Sequence, residues 1–154
     1  IFLINRIKID AVFLFPYFRQ ILFKIMDYKY LLYAHLFTVV PCFFIGAYLL
    51  SVKKGTPFHK SLGKVYMILM FTTAIITLFM PAYVGPQFLN HFGYIHLFSF
   101  LTLYSVPTAI IAIKKGQVKK HKIKMILLYF GALIIAGGFT FTPGRYLHTL
   151  FFGN

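Results

Sequence analysis

The sequence predicts an all-α integral membrane four-helix bundle made of two repeated two-helix hairpins. Three observations predict it. Of 154 residues, 60% are hydrophobic, the mean hydropathy is +0.80, and the acidic residues are two, Asp10 and Asp27. Apolar runs of about twenty residues at a rise of 1.5 Å each match a hydrocarbon core ~30 Å thick. The chain also says one phrase twice: Tyr33-Ala34-His35-Leu36-Phe37-Thr38 returns as Tyr94-Ile95-His96-Leu97-Phe98-Ser99. Each copy runs through apolar sequence to a Lys-Lys-Gly, at residues 53–55 and 114–116, and then to a His-Lys pair, His59-Lys60 and His121-Lys122. An internal repeat sets the architecture. Third, the cations that make up a net charge of +14 gather between the apolar spans. That placement reads as charged loops beside a membrane. A basic groove interleaved with aromatics is missing, so nucleic acid is not expected as a partner.

Residues 1–25 fit the spans poorly. Pro16, Arg19 and Lys24 interrupt any crossing there, and a charge at the bilayer centre costs at least ~2.5 kcal/mol. Two readings remain: an interfacial amphipathic helix with Phe13, Phe15, Phe18, Leu22 and Phe23 on its apolar side, or upstream read-through before a natural start at Met26. The second is preferred, leaving residues 26–154 as the transmembrane domain. Its helices are expected at about 31–52, 57–81, 94–113 and 123–142. Thr56 is expected to cap the second helix with Pro57 in its first turn. Pro143-Gly144 closes the fourth. Pro41 and Pro107 fall inside the first and third, where a membrane helix tolerates them.

Lysine placement predicts topology. The 51–64 and 114–124 loops carry the lysines, whereas Ala82 to Gly93 holds no Lys or Arg. The positive-inside rule therefore puts both lysine loops in the cytoplasm, both termini outside and the protein in the cell's inner membrane. Cys42 is a lone cysteine within an apolar span, so no intrachain disulfide is available.

The repeated histidines carry the functional expectation. Two hairpins of the same orientation are normally related by a pseudo-twofold axis along the membrane normal. Such an axis pairs His35 with His96, and His59 with His121. His35 stands as far before Lys53 as His96 does before Lys114, roughly 27 Å above the lysine end. His59 and His121 fall in the first turns of their helices, beside the lysines. Opposed imidazoles suit axial ligation of haem iron, and one pair near each face predicts two haems b. Lys60, Lys64, Lys124 and Arg145 are candidates to meet the propionates. Gly46, Gly63, Gly131, Gly137 and Gly138 offer close approach to the backbone, for a macrocycle or equally for a neighbouring helix. His91 and His148 lie outside the repeat and read as solvated. The plainer reading of all four repeated histidines is interhelical hydrogen bonding.

Absences narrow the chemistry further. With no Asp or Glu after Asp27, carboxylate dyads, His-Glu zinc motifs and a Ser-His-Asp triad lack their acidic members. An intramembrane carboxylate, usual in cation-coupled transporters, is lacking as well.

With these residues in view, the chain resembles the bacterial membrane family catalogued as domain of unknown function 2306, over about Leu32 to Phe151. The resemblance rests on the His35 helix, the Gly55-x3-His59-Lys60-x2-Gly63 turn, Ile95-His96-Leu97, His121-x3-Met125, and Ala136-Gly137-Gly138 followed by Pro143-Gly144-Arg145. Its histidine layout is also similar to that of the cytochrome b561 group, which holds two haems between four helices. That similarity implies a diheme b-type cytochrome-like protein carrying electrons across the membrane, with a quinone or a protein as redox partner. The alternative is a non-redox permease or accessory subunit whose histidines bond between helices. A metal site formed by His91, His96 and His35 ranks last, because a spacing of five puts His91 and His96 on different helical faces.

Overall fold

The computed structural model describes residues 27–82, 88 and 91–153. The two readings of residues 1–25 lie outside the described residues, as does most of the loop between Ala82 and His91. Helix α1 spans Tyr28–Ser51, α2 Pro57–Leu78 and α3 Ile95–Lys114. The fourth crossing is composite: α4 at Val118–Leu127, a π-helical segment at Leu128–Ile135, and a last α-helical turn, α5, at Ala136–Phe139. A short helix α6, Tyr146–Phe152, follows.

Four helices are thus long and apolar enough to cross a membrane, the fourth taken as Val118–Phe139. Their outward faces carry Phe37, Phe44, Ile68, Leu97, Tyr104 and Leu127, all more than half exposed. A surface of that size and apolarity is ruinous in water and ordinary against lipid tails. Each helix packs on the next, and the π-helical segment also meets α1 and α3, closing the bundle.

Local chemistry explains the ends. Asp27 caps α1, its carboxylate accepting from the Lys29 N–H at 3.1 Å. The chain is therefore helical from Tyr28, earlier than the apolar run alone suggests. Thr56 caps α2 as expected, accepting from the His59 N–H at 3.1 Å with Pro57 in the first turn. The two Lys-Lys-Gly turns share one device. Gly55 and Gly116 sit at φ +82° and +70°, a left-handed conformation that side chains with a Cβ disfavour. Both α1 and α3 run through their prolines, Pro41 and Pro107.

The fourth crossing differs from expectation. It begins at Val118, within the lysine cluster, and ends at Phe139. Hydropathy finds where apolar residues start, but a helix extends further when its lysines can reach the interface. A core of Cys42, Leu49, Tyr66, Met70, Val106, Leu128, Tyr129 and Leu133 fills the middle of the bundle. Gly46 belongs to this packing. A Cβ there would stand 2.5 Å from the Tyr129 ring and 3.0 Å from Tyr66, so only glycine lets the two rings lie against α1.

Candidate functional site

The repeated histidines occupy two unlike environments. At the end away from the lysines, His96 is 2% exposed and fully engaged. Its Nδ1 accepts from the Gly93 N–H at 3.1 Å, and its Nε2 lies 3.0 Å from the Met80 carbonyl. A carbonyl only accepts, so Nε2 carries the proton and neither ring nitrogen has a free lone pair. This ring locks the start of α3 to the turn after α2. His35 meets α2 instead, its Nδ1 2.8 Å from the Thr73 hydroxyl. The partners of both rings therefore belong to α2, to the turn after it or to the start of α3.

Buried hydroxyls continue that pattern. Thr38, Thr73, Ser99, Thr102 and Ser105 are all buried. Thr77 and Ser99 join α2 to α3 at 2.7 Å, and Thr38 and Thr102 bond back to their own helices. Small polar residues joining helices in this way are common membrane-helix glue.

His91 was expected to be solvated, and the structure corrects this. It is half-buried, its Nε2 donates to the Leu78 carbonyl at 2.8 Å, and its ring lies 4.8 Å from Phe92 and 5.6 Å from His96. It closes the same loop that His96 closes. Among the described residues no group of three His, Cys, Asp or Glu side chains could hold a metal ion, so a His91–His96–His35 centre does not form. Arg145 stands at this end too, half-buried before α6, its Nε buried and without a hydrogen-bond partner among the described residues. Tyr146 beside it is hydrogen-bonded to Tyr33 of α1, which raises its phenol above the ordinary range.

A cavity of about 390 Å³ lies beside His96, and the lysine end holds a much larger one. A cavity of about 1100 Å³ lies between the helices there. His59 and His121 both line it, on α2 and α4 respectively. The His121 Nδ1 lies 3.0 Å from the Ala109 carbonyl and so donates, which leaves Nε2 as a free lone pair. Fixing a ligand imidazole through Nδ1–H and a backbone carbonyl is the usual second-shell arrangement at a metal. The His59 Nδ1 is buried and has no hydrogen-bond partner among the described residues. Gly63, one turn further along α2, faces the cavity with nothing within 4 Å of where a Cβ would stand.

The remaining walls are apolar, with Leu49, Met67, Val106, Ile110 and Met125 among them, and Lys60, Lys64, Lys114 and Lys122 line the cavity too. Lys54 is already committed, its ammonium capping α1 through the Leu50 and Val52 carbonyls at 2.7 and 2.6 Å. Lys124 lies over the Tyr104 ring at 4.8 Å. Sequence reasoning missed Tyr66 and Tyr129, which also line the cavity. No periodicity marks them as different from the apolar residues around them.

Fold and cavity together define a multi-pass membrane protein with a large internal cavity at one end. Over residues 32–140 the chain matches the family described as Predicted membrane protein (DUF2306), and it belongs to that family. No curated protein and no solved structure matches it.

Proposed function

We propose that the protein is a membrane-embedded b-type haem protein whose haem is held between His59 and His121 at the lysine end. One observation carries the reading: both histidines line a single large apolar cavity, and the His121 tautomer leaves Nε2 with a free lone pair. The donor set fits the group. Two imidazoles suit the iron, the apolar walls suit the macrocycle, and Lys60, Lys64, Lys114 and Lys122 suit two carboxylates at the mouth. Bound there, haem would supply one-electron chemistry. The residues themselves orient it, exclude water from its faces and offset its negative charge. The lysine end is taken as cytoplasmic.

The proposal is narrower than two stacked haems. A second iron at the other end would need the His96 Nε2, which is protonated and held by Met80. That end favours the plainer role, histidines bonding between helices, and with one haem the electron partner docks on the lysine side. Purification from a haem-sufficient host followed by pyridine haemochrome analysis tests the reading. About one haem b per chain supports it, two restores the stacked pair, and folded protein with none refutes it.

A further inference from the structure

The lysine end carries more positive charge than its cavity uses. Ten lysines, from Lys53 to Lys124 in the chain, stand on its two turns or on the adjoining helix ends. Asp27, the one acidic side chain among the described residues, caps α1 at the opposite end. None of these ammonium groups therefore has a carboxylate partner among the described residues. Lys54 is bonded to backbone carbonyls, and Lys60, Lys64, Lys114 and Lys122 line the cavity. Of the remainder, three crowd one corner. Lys115 lies on the turn at residues 115–117 and Lys119 and Lys120 in the first turn of α4, all of them exposed and none lining the cavity. Like charges this close repel one another, and an anion set among them relieves the repulsion.

Two observations say what meets them. The first is height. The turns at residues 52–56 and 115–117 are short, so among the described residues this end has no platform standing clear of the membrane. The corner lysines sit at helix ends, where the hydrocarbon core gives way to a headgroup layer about 5–8 Å deep. The second is their neighbours. Ile113, Val118 and Ile123 are 42%, 59% and 57% exposed in the same short stretch of chain. Exposed apolar side chains between cations suit a boundary where stems lie on hydrocarbon and ammonium heads reach the polar layer. Tyr48 and Phe58, also exposed at this end, pair edge to face at 6.0 Å, as befits an interfacial aromatic belt.

We infer that this corner binds the headgroup of an anionic phospholipid, with Lys115, Lys119 and Lys120 supplying the cations and the acyl chains running past Ile113 and Val118. Net charge selects the lipid. A zwitterionic headgroup brings a cation of its own among the lysines, whereas a phosphatidylglycerol headgroup brings the phosphate charge alone. Basic clusters beside a membrane helix draw anionic lipid in this way. An acidic protein fits the corner less well. It would have to sit above the headgroups, and the exposed apolar residues would give it nothing to pair with.

Native mass spectrometry of the full chain in micelles, titrated with phosphatidylglycerol and with phosphatidylcholine of the same acyl chains, tests the inference. The wild type should retain phosphatidylglycerol about tenfold more tightly. Lys115→Gln, Lys119→Gln and Lys120→Gln together should abolish that preference, and each alone should lower it about twofold. The unfolding midpoint should stay unchanged, because all three side chains are exposed. Lys29→Gln, at the opposite end, should leave the preference intact. Equal retention of the two lipids, or an unchanged preference in the triple variant, would overturn the inference. So would displacement of the lipid by glycerol phosphate or by polyglutamate as effective as by phosphatidylglycerol itself, the first pointing to a free phosphate and the second to an acidic protein. The corner lies outside the cavity lining, so His59→Ala should keep the lipid preference whether or not haem is bound.

Discussion

The two ends of this bundle carry the same repeated residue types and use them oppositely. Away from the lysines, His96 and His91 spend ring nitrogens on backbone carbonyls, His35 meets Thr73, and Thr77 meets Ser99. At the lysine end, among the described residues, His59 keeps a buried nitrogen without a partner, and His121 has a free one beside a large cavity. One end is tied together by hydrogen bonds. The other is held open. The lesson concerns duplication: a repeat copies a residue into a place, but its role depends on which partners the local chain supplies. His96 acquires its second bond from the Met80 carbonyl, just past the end of α2.

The contrast predicts graded effects on stability, measurable by denaturant titration in micelles. His96→Ala should be the most damaging, at about 3 kcal/mol, since it empties a buried site and strands the Gly93 N–H and the Met80 carbonyl. Gly46→Ala comes next, at about 2 kcal/mol, because the added methyl group pushes on the Tyr129 ring. His35→Ala should cost about 1.5 kcal/mol by leaving Thr73 without its cross-helix partner. Thr56→Ala should cost about 1 kcal/mol through the lost cap of α2. His59→Ala in haem-free protein should be smallest, within about 0.5 kcal/mol, because no group among the described residues depends on its Nδ1. A loss at His59 equal to that at His96 would erase the distinction between the two ends.

Much of the fold was legible because hydropathy and lysine clustering are strong signals in a membrane chain. Helices α1 to α3 lie within about three residues of where those signals put them, and the Thr56 cap and the paired Lys-Lys-Gly turns lie where expected. The extension of the fourth crossing back to Val118 was not legible, since lysines at a helix end look like a loop to any count of apolar residues. Nor was the π-helical segment, which no residue in Leu128–Ile135 announces. The depth of the histidines followed from spacing alone. Their partners did not, because Met80, Thr73 and Ala109 reach the imidazoles through tertiary packing. His91 was missed for the same reason: it belongs to no periodic stretch, and its bond to Leu78 exists only once the loop has folded.

Reduced-minus-oxidised difference spectroscopy on membranes carrying single substitutions tests the central claim most directly. The account predicts Soret and α-band signals in the wild type and in His35→Ala, and their loss in both His59→Ala and His121→Ala at matched protein levels. Signals that persist in His59→Ala and His121→Ala but vanish in His35→Ala would contradict it. So would a wild-type protein, folded and abundant, that shows no haem bands at all.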